Sequence, residues 1–229
     1  MRSADKPNGA AELTPRTASR LFGVPRMRGY LDAVGGDPAA ALELYRWNTA
    51  VGGAFWETLG HVEVVLRNAL ADRLAARHAA AGRPGSWLDD AARELDGRAR
   101  RDIAKARRRA GAKSGDAGDA QTLTELSFGF WRFLLAKRYA TTLWPGLARG
   151  FPRAPDRARA TVEQPVKRLH EFRNRLAHHE RIWNQPLKSH HDDIVTVLGF
   201  VDEALVGWVS AGCRISEVLA RCPIERPHP

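Results

Sequence analysis

Apolar positions recur at steps of three and four along most of this chain, the spacing that fills one face of a helix. Alternating runs of β-branched residues closed by turn chemistry are nearly absent. The pattern predicts an all-α helical bundle with long helices. Asp37-Pro38 reads as a helix start, with Asp37 as cap and Pro38 in the first turn. That helix runs through Leu42, Tyr45 and Trp47 toward Val51 and meets Gly52-Gly53, a kink or weak point. Phe55, Leu59, Val62, Leu66 and Leu70 then form one stripe, ended by Gly82 to Gly85. Ser86 is expected to cap a helix starting at Trp87-Leu88 and running through a basic stretch to about Gly111. Gly111 to Ala120 reads as a polar loop. A helix over about 124–143 carries Leu126, Phe130, Phe133, Leu134 and Tyr139, and Trp144-Pro145-Gly146 stops it. After a Pro- and Arg-rich connection over 151–159, a helix from about Pro165 presents Val166, Leu169, Phe172 and Leu176 on one side. The last helix, about Lys188 to Ala211, should bury Ile194, Val197, Leu198, Val201, Leu205 and Trp208.

Composition narrows the class. With 229 residues, 44% of them apolar, the chain can bury a substantial core. One domain is expected over 20–222, after an unstructured segment over 1–19 and before a Pro-rich tail over 223–229. No apolar run approaches the ~20 residues of a membrane span. The best candidate, 194–209, is broken by Asp202 and Glu203. Met1 to Ser19 lacks the apolar stretch of a secretory signal. Cys213 and Cys222 lack metal-type spacing and suit a reducing cytoplasm.

A net charge of +10 points to a polyanionic partner. Arginine makes up 30 of the 36 basic residues, which GC-rich coding also produces, so the distribution of charge matters more than its sum. Seven basic residues crowd one stretch: Arg98, Arg100, Arg101, Lys105, Arg107, Arg108 and Arg109, against Asp102 alone. They form either a solvated helix face or a track for an RNA backbone.

The densest chemistry lies in Phe172-Arg173-Asn174-Arg175-Leu176-Ala177-His178-His179-Glu180-Arg181-Ile182-Trp183-Asn184. A histidine trades a proton near neutral pH, and a guanidinium can hold a phosphate at two points. Spacing alone decides nothing. Arg followed by four to six residues and His should arise roughly three times by chance here. It arises four times, at Arg73–His78, Arg173–His178, Arg173–His179 and Arg221–His228. The flanking residues separate Arg173 and His178 from the alanine-rich Arg73–His78 pair.

The block Ala177-His178-His179-Glu180-Arg181, with Asn174 before it, resembles the signature of the Abi-like abortive-infection proteins, a branch of the HEPN ribonucleases. Tyr45-Arg46-Trp47-Asn48, Glu63-Val64-Val65-Leu66-Arg67-Asn68-Ala69-Leu70 and Glu125-Leu126-Ser127-Phe128-Gly129-Phe130-Trp131 resemble three further blocks of that family, in its order. The resemblance spans about residues 20–210. It implies an HEPN-type bundle, Arg173 and His178 as the catalytic pair supported by Asn174, and a homodimer whose cleft holds both motifs. It also implies a toxin role in phage defence, with an RNA or protein antitoxin as a candidate partner. His179 is a candidate accessory, for substrate contact or packing, as are Glu63, Arg67 and Asn68. The Glu63–Arg67 pair could equally be an ordinary ion pair along a helix. Glu180 and Arg181 should fix the following turn, and Trp183 should anchor the core.

Asn174 and His178, four apart, should be neighbours, so that Asn174 orients the ring. Arg173 and His178, five apart, should diverge by roughly 140°. They would meet at one phosphate only where the helix ends, or across a two-fold axis sealed by Phe172, Ile182 and Trp183. The reaction expected is attack of an RNA 2′-hydroxyl on its own phosphate, without metal or cofactor. His178, His179, Glu180 and the run His190-His191-Asp192-Asp193 offer ligand types, but no His-Glu-x-x-His or cysteine pairing organises them. A non-catalytic RNA-binding protein is the first rival, and a metal-dependent phosphohydrolase the second.

Overall fold

The structure, a computed structural model, describes residues 13–111 and 116–224. Most of the expected N-terminal segment, the centre of the 111–120 loop and most of the Pro-rich tail lie outside those residues. The regular structure among the described residues is all helical, with no strand among them. The described residues fall into two compact units: the chain up to Gly52 together with the stretch from Ser216, and Gly53–Ile215. The boundary falls on the Gly52-Gly53 pair, inside one long helix.

In the first unit, α1 (Pro15–Phe22) begins where disorder was expected. Thr14 accepts from the Thr17 N–H, and Pro15 opens the first turn, where its missing N–H costs nothing. After α2 (Val24–Ala33), Asp37 caps α3 (Pro38–Ala80) as predicted, its Oδ1 accepting from the N–H groups of Ala39 and Ala40. Tyr30, Leu44, Trp47 and Val51 fill this unit's core, and the Trp47 indole donates to the Val218 carbonyl at 2.7 Å.

The second unit holds the rest of α3, whose predicted stripe from Phe55 to Leu70 is buried. Four boundaries in this stretch differ from expectation. Trp87–Asp89 is a single 3-10 turn, and the basic helix is separate: α4 (Gly97–Arg109), capped by Asp96. Part of the predicted 111–120 loop is helical, in α5 (Asp116–Glu125). Ser127 then caps α6 (Phe128–Leu134), where one helix over 124–143 was expected, since a serine cap can restart a helix within an apolar run. After the short α7 (Trp144–Leu147) comes α8 (Arg159–Ala177), six residues earlier than predicted. Pro165 therefore sits inside α8 and removes one backbone bond there.

Val166, Leu169, Phe172 and Leu176 of α8 are buried as predicted, with Phe172 edge-on to Phe55 at 4.9 Å. Next comes α9 (Leu187–Val201). His190 stacks on Phe172 at 4.1 Å, and Arg168 holds Asp193 through two bonds of 2.8 and 2.6 Å. Asp202 leaves the helical region (φ −158, ψ 135) and caps α10 (Glu203–Gly212), so the predicted last helix is broken. Trp208, expected in the core, is 68% exposed, because that break turns α10 away from the register of α9. Finally α11 (Ile215–Ala220) closes the described chain.

Candidate functional site

The last turn of α8 builds the motif. The His178 N–H still bonds the Asn174 carbonyl at 3.1 Å, so His178 is the C-cap and keeps its helical direction, about five residues' rotation from Arg173. His179 N–H returns to Leu176 O and Glu180 N–H to Arg175 O, the paired bonds of a Schellman closure. The residue at its left-handed position is His179, with φ 52, where glycine is usual. His178 and His179 are both exposed. Glu180 accepts from Arg175 Nη1 at 2.8 Å, so it secures the helix end it follows rather than the next turn. Ile182, 1% exposed, anchors this region, while Trp183 is only half-buried.

Arg173 points toward α3. Its Nε lies 3.8 Å from Glu63 Oε2, and its guanidinium sits 5.1 Å over the exposed Trp56 ring. A charge-assisted bond is about 2.7–2.9 Å long, so this pair is loose. The buried Arg173 Nε has no hydrogen-bond partner among the described residues. Of the two readings open for Glu63 and Arg67, the structure favours the one away from a helix ion pair: Glu63 faces Arg173, and Arg67 Nε donates to Asn68 Oδ1 at 3.1 Å. Asn174 also departs from expectation. Its Nδ2 approaches His170 Nε2 at 3.4 Å, one turn back, instead of His178 one turn forward.

His170 is the residue the sequence reasoning missed. It packs edge-on to Phe128 (5.8 Å) and Phe133 (6.1 Å), and a Cβ on Gly129 would stand 3.1 Å from its Nε2. Burial holds its pKa below the ordinary 6.5, and the charges of Arg132, Arg173 and Arg98 lower it further. The signal was available: His170, Arg173 and Asn174 stand at i, i+3 and i+4, one helix face.

The basic stretch on α4 divides by face. Arg98, Arg101, Lys105, Arg108 and Arg109 share one side and are exposed. Arg98 stacks on Phe133, with its central carbon 3.7 Å from the ring centre. Arg107 points elsewhere and is bound to Asp89 at 2.6 Å, and Arg100 lies on that far side. Arg107 thus belongs to the protein's own framework, because a partnered guanidinium on the far face does not extend the stripe.

The other histidines are engaged apart from one another. His78 is buried, with Nε2 3.2 Å from the Pro84 carbonyl, and His191 Nε2 lies 3.8 Å from Cys213 Sγ. His228 falls outside the described residues. No group of three or more His, Cys, Asp or Glu side chains gathers as a metal ion requires among the described residues. No described helix is long and apolar enough to cross a membrane. Comparison with protein-family models, with curated proteins and with solved structures returns no match.

Proposed function

We propose that this protein is a metal-independent endoribonuclease toxin of the Abi-like HEPN type, acting in phage defence by abortive infection. The observation that carries the reading is the end of α8: a loosely paired arginine, then two exposed imidazoles, one held in a left-handed conformation. A non-glycine residue in that conformation stores about 1 kcal/mol of strain and is found disproportionately at functional sites. In the reaction, an imidazole takes the proton of an RNA 2′-hydroxyl. The 2′ oxygen bonds to phosphorus, the bond to the 5′ oxygen breaks, and the departing oxygen gains a proton. Arg173 stabilises the charge gathering on the phosphoryl oxygens. Imidazole acid–base catalysis of this kind is typically worth ~10²–10⁴ in rate.

The divergence of Arg173 and His178 along α8 favours a site completed by a second copy around a two-fold axis. Phe172 and Ile182 are buried inside the unit and cannot seal that contact, contrary to expectation. The exposed Trp56 of α3, beside Arg173, and the exposed Val64 of the same helix supply apolar surface instead. The test is cleavage of RNA in EDTA with analysis of the new ends. A 2′,3′-cyclic phosphate and a 5′-hydroxyl, with resistance of a substrate carrying one 2′-deoxy group at the cut, support the reading. Metal-dependent cutting that leaves 5′-phosphates overturns it. A second reading, RNA binding without cleavage, draws on Glu63 facing Arg173 and on Asn174 turning from His178. Tight binding with intact RNA would select it.

A further inference from the structure

Phe133 of α6 is ringed by two guanidinium groups and an imidazole from three helices. The central carbons of Arg98 and Arg132 lie 3.7 and 4.5 Å from its centre, and the His170 ring stands 6.1 Å away. The acids nearby do not match them. Asp102 is 3.9 Å from Arg98, and Glu163 divides itself between Arg132 at 3.7 Å and Arg159 at 3.4 Å. None of these is a charge-assisted hydrogen bond, which needs about 2.7–2.9 Å. The Arg132 side chain is only 14% exposed, and its buried Nε has no hydrogen-bond partner among the described residues. A guanidinium kept this dry with its anion held so loosely is an unfavourable arrangement on its own.

We infer that Arg98, Arg132 and His170 form a second anion subsite beside Arg173, taking the phosphodiester next to the one that is cut. The naming of the anion as RNA rests on the ribonuclease reading; the subsite itself rests on the geometry around Phe133. Arg98 also heads the exposed stripe of Arg101, Lys105, Arg108 and Arg109, so the subsite joins the motif to a longer backbone track. Gly129 is part of the design: without a Cβ it lets the imidazole lie against α6, within reach of Asn174. The charged groups facing His170 are Arg98 from α4, Arg132 from α6, and Arg173 and Glu171 from α8. While the subsite is empty, burial and then the three arginines oppose protonation of the ring. A phosphate among them reverses the local sign and draws a proton onto the ring.

The experiment follows the His170 ring resonances by NMR against pH in the full chain. The samples contain chloride, inorganic phosphate, or a short 2′-O-methyl oligonucleotide that cannot be cleaved, at equal ionic strength. The subsite requires phosphate and oligonucleotide each to raise the titration midpoint by about one unit or more, the scale of one nearby opposite charge. Arg98→Gln, at an exposed position that leaves Glu163 undisturbed, should reduce that shift, and Arg173→Ala should preserve it. In parallel, His170→Gln should raise KM for RNA about tenfold with kcat within about twofold, the signature of lost binding common to ground and transition states. A midpoint unmoved by the oligonucleotide, or an unchanged KM, overturns the subsite. Absence of any cleavage by the wild type would fail the ribonuclease reading instead, and the midpoint shift would still decide whether the subsite exists.

Discussion

Two stretches of α8, barely two turns apart, treat histidine in opposite ways. His170 lies against Phe128 and Phe133 under three arginines that oppose its protonation. His178 and His179 are exposed at the helix end. The first environment suits a group that receives an anion; the second suits a group that must give and take protons with a substrate. Helical period and residue type are the same in both places. What differs is the neighbouring helix: α6 presses its glycine and aromatic rings on one, while the other is exposed at the end of α8.

After the loss of His178 itself, replacing Arg173 with Ala should have the largest effect, lowering kcat by about 10²–10³ because charge on the phosphoryl oxygens goes unstabilised. Circular dichroism should stay helical, since among the described residues its ion pair is the loose one to Glu63. His179→Gly comes next and separates function from fold. Glycine suits φ 52, so the protein should gain up to about 1 kcal/mol in denaturant unfolding while cleavage falls. A variant equally active and more stable would reduce His179 to packing.

Gly129→Ala should push the His170 ring off α6, raising KM without touching kcat. If both constants stay at wild-type values, the shared face of α6 and α8 has no part in binding. Reversing Arg101, Lys105 and Arg108 to Glu should weaken RNA binding, with the loss shrinking as salt rises, and by more than reversing Arg107. Equal effects would show that the two faces of α4 are not distinct.

The smallest effect is on stability against pH. Burial lowers the pKa of both His170 and His190, so the unfolded chain takes up protons first as pH falls through about 6.5. Stability is therefore full above that value and declines below it. A second decline follows from Glu94, whose bonds to Arg77 and Arg83 lower its pKa from 4.5 to about 2, spread over that window. Thermal melts should show the first step diminished in His170→Gln and the second in Glu94→Gln.

The helical stripes were legible in sequence because burial follows a fixed period: Phe55 to Leu70 and Val166 to Leu176 fell where counting placed them. Breaks were less so. Asp202 caps and interrupts at once, and an apolar stripe passing over it gives no warning, so Trp208 was placed inside. In the candidate site, the order of residues along α8 could be read, but partners from other helices could not. Asn174 has two neighbours four residues away, and only α6, through Gly129, decides that His170 is the one it meets.

The most direct measurement compares His178→Ala with His170→Gln at saturating and limiting RNA, in EDTA. The account predicts a kcat lowered by about 10²–10⁴ for His178→Ala, and a near-normal kcat with raised KM for His170→Gln. His178→Ala protein cutting at the wild-type rate, whatever His170→Gln does, would contradict it.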